Sequence, residues 1–154
     1  MEKLVFDSGV KEYKINNNGI LRFNPSDPNV YARFLDAMEK IQAVEKKLVD
    51  KAAQIEHAED QEQSGAAVLR LMAEADREIK DVLAQVFGAG NDFDKILGGV
   101  NLLAVAGNGE RVITNLLQAL QPIMVSGAES CAKQQTGAAV AEAKRNRAQR
   151  RAAK

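Results

Sequence analysis

The sequence predicts a mostly helical α+β fold: a small N-terminal β-hairpin or three-stranded sheet, then a bundle of four or five helices. Three observations carry that expectation. Aromatic residues make up only 5% of the 154 residues, while Ala, Leu, Glu, Gln and Lys are plentiful, which favours helices over a sandwich or barrel. Two long stretches repeat apolar residues at helical spacing. One early stretch alternates instead, around an Asn-rich turn.

Residues 3–23 read as short strands. Leu4-Val5-Phe6 is apolar, and Asp7-Ser8-Gly9 is a turn signal. Lys11 to Ile15 alternates, with Tyr13 and Ile15 on one face. Asn16-Asn17-Asn18-Gly19 suits a hairpin turn, because Asn and Gly tolerate positive φ. Ile20 to Phe23 returns. Strands this short need a helix to pack on.

Asn24-Pro25-Ser26-Asp27-Pro28 then starts a helix, with Asp27 as N-cap and Pro28 at the first helical position. Over 28–56, Phe34, Ile41, Leu48 and Ile55 recur every seven residues, and Val30, Met38, Val44 and Ala52 fill the stripe. The acidic stretch from Glu56 to Ser64 reads as a frayed end or a loop, and Ser64-Gly65 as a break. A second helix is expected over 66–87. Val68, Met72, Ala75, Ile79, Val82 and Val86 form its stripe, widened by Leu69, Leu71 and Leu83. A stripe this wide fits a bundle core better than a two-stranded coiled coil.

Gly88-Ala89-Gly90-Asn91 should end that helix. Asp92 should cap a short helix over 92–98, closed by Gly98-Gly99, and Val100 to Ala106 should add a helical turn or two. A last helix is expected over 109–125, kinked at Pro122. Residues 1–125 thus read as a single domain. Residues 126–154 read as an Ala- and Gly-rich, then basic, tail that is weakly ordered or helical.

Charge divides the chain sharply. Lys144, Arg145, Arg147, Arg150, Arg151 and Lys154 stand in the last eleven residues with no acid, while residues 1–143 hold 15 basic against 21 acidic residues. An acidic body carries a basic end. On a helix those cations would lie nearly all round. They suit a solvated end folding back on the body, docking to an acidic partner, or nucleic-acid contact. With no interleaved aromatics, base stacking is not expected, and nucleic acid is the least favoured partner.

Catalytic chemistry finds little footing. Gly88-Ala89-Gly90 and Gly107-Asn108-Gly109 do not complete a phosphate-binding motif and read as caps and turns. The pairs Asp92/Asp94 and Glu59/Asp60 read as capping or solvated carboxylates. His57 reads as a surface histidine, and Cys131 lacks a partner base in view. One Cys and one His offer no disulfide and no thiolate or His-rich metal cluster, and the lone Cys fits a reducing cytoplasm. No run nears the roughly 20 apolar residues of a membrane span. The start turns polar at Asp7, too soon for a signal-peptide core. The expectation is a non-enzymatic protein with no cofactor, metal site or membrane contact. Phe93, Ile96, Leu97, Leu102 and Leu103, in glycine-flanked segments, are either core or a partner-binding patch.

The layout resembles the small tail assembly chaperone-like proteins of long-tailed phages and prophages of Gram-positive hosts. The likeness rests on Leu4-Val5-Phe6-Asp7-Ser8-Gly9, Tyr13-Lys14-Ile15 and Phe23-Asn24-Pro25-Ser26-Asp27 before a long helix. It continues with Val86-Phe87-Gly88-Ala89-Gly90, Lys95-Ile96-Leu97-Gly98, and Leu116-Leu117-Gln118-Ala119-Leu120-Gln121-Pro122-Ile123-Met124. It spans roughly residues 3–125, and the basic run Arg145 to Arg151 fits as well. Leu97 stands where an aromatic is common in that group.

The resemblance implies a chaperone made in the cytoplasm of the infected bacterium. It would coat the helical tape measure protein, keep it soluble, help recruit tail tube protein, and be absent from the mature virion. It also implies a longer frameshifted form in many members. Self-association is a further partnering option. Two alternatives stay open. One is a structural tail or head–tail connector component retained in the virion. The other is a nucleic-acid-binding accessory protein acting through the basic end.

Overall fold

The structure, a computed structural model, describes residues 1–56 and 61–153. It is a mostly α-helical α+β fold. Strands β1 (Lys11–Lys14) and β2 (Ile20–Phe23) precede helices α1 (Pro28–Glu56), α2 (Gln61–Phe87), α3 (Phe93–Ile96) and α4 (Val112–Ala152). His57, Glu59 and Asp60 lie outside the described residues, as does Lys154.

The two strands pair antiparallel, with Tyr13 opposite Leu21 and Glu12 opposite Arg22. The turn between them closes through Ile15 N–H to the Gly19 carbonyl at 2.9 Å. The sheet has two strands among the described residues, not three: Leu4, Val5 and Phe6 join no strand and are 87%, 76% and 74% exposed. Their β-propensity is real, but a strand also needs an edge to pair with, and no local signal supplies one.

Asp27 caps α1 as its sequence predicts, accepting the Asn29 N–H at 2.9 Å. α1 and α2 run antiparallel. Arg33 donates to the Val86 carbonyl near one end, and Lys47 meets Glu78 midway along. Their facing stripes bury Val30, Phe34, Ala37 and Ile41 against Ala75, Ile79, Leu83 and Val86. Each fully buried aliphatic or aromatic side chain contributes about 1.5–3 kcal/mol. Two details of the α2 expectation change. The helix already runs through Ser64 and Gly65, so no break falls there, and Leu69 is exposed rather than part of the stripe.

A ladder of rings joins the small sheet to the helices. Tyr13 stacks on Phe23 at 5.1 Å, Phe23 meets Phe87 edge-on at 4.7 Å, and Phe87 lies 5.8 Å from Phe93. Asn91 adds the polar counterpart. Buried beside the end of α2, its amide accepts from Arg22 N–H and donates to the Arg22 and Phe87 carbonyls, all within 2.9 Å. One side chain therefore ties up the outward-facing backbone of Arg22 on β2 and a terminal carbonyl of α2.

Asp92 caps α3, accepting the Asp94 and Lys95 N–H groups. Gly98 and Gly99 end it in a Schellman turn: Gly99 N–H reaches the Asp94 carbonyl at 2.7 Å, Gly98 N–H the Lys95 carbonyl at 3.1 Å, and Gly98 has φ +68°. Only glycine takes that conformation cheaply. Residues 100–106 form turns rather than the expected helix. Their carbonyls are used elsewhere: Leu102 and Ala104 accept the first two N–H groups of α4, Ile113 and Val112.

α4 begins at Val112, not 109, because Asn108, Gly109 and Glu110 make a tight turn in front of it. It continues past residue 125 through Pro122 to Ala152, so the Ala-rich end is helical. Ile113, Leu120, Met124 and Gly127 are its buried residues. From Ala132 to Ala153 every residue is exposed. That stretch of helix reaches about 30 Å at 1.5 Å per residue.

Candidate functional site

The five apolar residues singled out in the sequence lie in the core. Phe93, Ile96, Leu97, Leu102 and Leu103 are all buried; of the five, only Leu97 also lines the open groove beside α4. Glycine-flanked segments suggest mobility, yet these are pinned by the Schellman turn and by a buried ionic knot.

That knot was missed in the sequence. Lys80 on α2 is buried, and its ammonium donates to Asp76 Oδ2 (2.8 Å), Asp94 Oδ1 (2.7 Å) and the Val100 carbonyl (2.9 Å). Asp76 Oδ1 also accepts the Leu102 N–H at 2.8 Å. Three donors meet three acceptors, and α2, α3 and the 100–102 turn are locked together. Burial alone would lower the Lys80 pKa, but hydrogen bonds and attraction from Asp76 and Asp94 outweigh it, so the net shift is upward. The hydrogen bond and charge of Lys80 hold exposed Asp94 below the usual carboxylate value. The available signal was an Asp and a Lys four apart inside an otherwise apolar stripe. All three N–H groups of the ammonium are engaged, which makes the knot a tie between α2, α3 and the following turn.

An open, largely apolar surface lies between the hairpin and α4. It is a groove of about 590 Å³. Tyr13 and Ile15 form one wall, Leu97 and Leu120 the floor, and Val112, Leu116 and Ile123 of α4 the other wall. A second trough of about 380 Å³ continues it beside Lys11, Pro25, Pro122 and Ser126, sharing Tyr13 and Ile123. Both are bounded by β1 and α4, and neither is lined by a residue of β2. Tyr13, Ile15, Val112, Leu116 and Ile123 are partly buried at the margin of the core. Such half-covered apolar walls suit a peptide or helix ligand better than a small polar substrate.

The projecting half of α4 is the second exposed feature. Lys144, Arg145, Arg147, Arg150 and Arg151 all lie on it, in the open. The spacing sets Lys133, Lys144, Arg147 and Arg151 along one stripe, with Arg145 and Arg150 to either side. Cys131, half-buried, lies where this half begins. No helix among the described residues is long and apolar enough to cross a membrane. No family model matches the chain, and neither a curated protein nor a solved structure matches it.

Proposed function

We propose that the chain is a non-enzymatic assembly chaperone whose β1–α4 groove holds apolar stretches of a long helical client, the tape measure protein of a phage tail. The groove is the observation that supports this: there, apolar side chains of the core margin from β1 and α4 remain reachable from outside. An extended client offers many such stretches. Many copies, each weakly held, would cover it through multivalency and still yield to tail tube subunits. The exposed basic helix would then be free to contact acidic partners.

Co-expression with a tape measure protein tests the proposal. The wild-type chain should co-purify with it. Ala119→Glu should abolish that association while leaving the circular dichroism unchanged, because Ala119 lines the groove but is exposed. Loss of association for neither chain, or no association at all, would count against the proposal. Mass spectrometry of purified particles should find the protein missing; its presence would favour a retained connector component. The basic helix supports a second reading, contact with nucleic-acid phosphates. Binding that weakens steeply with salt, and disappears on truncation before Lys144, would support it.

A further inference from the structure

The edge of β1 that borders the groove is the open edge of the sheet. Arg22 turns both its N–H and its carbonyl to Asn91, so the Glu12–Arg22 pair is not bonded across the sheet. Glu12 and Lys14 therefore point their backbone groups away from β2, on the open side of the sheet. A strand could add here, and an open edge beside an apolar trough is a strong template for one.

The chain carries a segment suited to that edge. Leu4, Val5 and Phe6 form a contiguous, exposed apolar run with high β-propensity and no packing partner. It is tethered on the wrong side to serve its own edge. The Ser8 carbonyl accepts from Asn24 Nδ2 at 3.0 Å, which holds the chain beside the residue that follows β2. Folding back onto its own β1 would break that bond. A second copy has no such constraint.

The two sequences also match. Laid parallel, Glu2 falls beside Lys11, Lys3 beside Glu12, Leu4 beside Tyr13, Val5 beside Lys14 and Phe6 beside Ile15. Opposite charges meet at one end. Leu4 and Phe6 share the face of Tyr13 and Ile15, two apolar residues that wall the groove on the β1 side.

We infer that two copies exchange their Leu4–Phe6 segments, each adding a parallel strand to the other's β1 edge and filling its groove. The exchange is two-fold and closes on itself. It makes the groove self-masked in the free protein, so that a client must displace the partner's segment. The masking rests on the proposed client role, but the pairing does not, and the test needs no client.

Sedimentation of the full chain over a dilution series should show a monomer–dimer equilibrium. In the double variant Leu4→Asp, Phe6→Asp the dissociation constant should rise about tenfold or more. Both side chains are exposed in the monomer, so its fold should be untouched. In a Cys131→Ser background, a chain carrying Val5→Cys and Lys14→Cys should form a disulfide between chains on oxidation. A chain that is monomeric throughout, a dimer indifferent to the double variant, or a disulfide confined within single chains would each overturn the inference.

Discussion

From Val112 to Gly127, α4 buries Ile113, Leu120, Met124 and Gly127 in the body. From Ala132 onward the same helix buries nothing. The first stretch is held by packing and the second by local preference alone. Ala, Gln, Lys and Arg dominate the second stretch, and all are good helix formers. A free peptide of that length would be marginal, because nucleation is costly. Here the docked half supplies the nucleus. Arg150 and Arg151 in the last turn add a favourable charge near the carbonyl end. Continuity of secondary structure is thus no guide to how the two halves respond to change.

The largest effect should come from the body's ionic knot. Lys80→Met leaves Asp76 buried without its cation, and urea denaturation should show a loss of about 3 kcal/mol or more. The projecting helix should show no separate response. Gly127→Ala comes next. A Cβ at Gly127 would overlap the Pro25 carbonyl oxygen, so α4 would have to move off the loop before α1. Overpacking of this kind costs about 1–3 kcal/mol. Alanine is the better helix former, so a loss of stability here would show packing outweighing propensity in the docked half.

The pH dependence of unfolding sharpens the contrast more gently. Asp94 is lowered on folding, so its contribution is full above the ordinary carboxylate value of 3.8 and is lost as pH falls through the folded value. Lys80 is raised, so its contribution is full below the ordinary 10.5 and is lost as pH rises through the folded value. Between those limits the knot should add no pH dependence, and Lys80→Met should flatten both flanks. The smallest effect should follow removal of residues 132–154. The midpoint of the body's unfolding should change by less than about 0.5 kcal/mol. Helicity should fall, and in the intact chain amide exchange should be fastest over this stretch.

Much of the fold was legible because its signals are local. Asp27-Pro28 and the Phe34–Ile41–Leu48 stripe placed α1 at its observed bounds, and Asp92 with Gly98-Gly99 placed α3. What failed was not local. Leu4-Val5-Phe6 reads as a strand, but pairing depends on an edge elsewhere. Residues 100–106 look helical by composition, yet their carbonyls serve the start of α4. Lys80 hid because only Asp76 among its acceptors is local, while Asp94 and the Val100 carbonyl come from later in the chain. The groove was illegible for the same reason, since no periodicity records a gap between β1 and α4. Tyr13 and Ile15 read as one strand face from their alternation, and both line the groove; of the glycine-flanked apolar residues only Leu97 reaches it, while Phe93, Ile96, Leu102 and Leu103 are spent inside the body.

Asn91 has one more consequence. A bare two-stranded ribbon offers growth in both directions, and chains that add on both sides stack without limit into fibres. With a side-chain amide holding the N–H and carbonyl of Arg22, a strand adding beside β2 would forfeit those bonds, so the other flank is the better side for company. Growth on the β2 side is thereby disfavoured, whatever adds beside β1. A polar residue that looks like mere interior wiring therefore also guards against runaway aggregation.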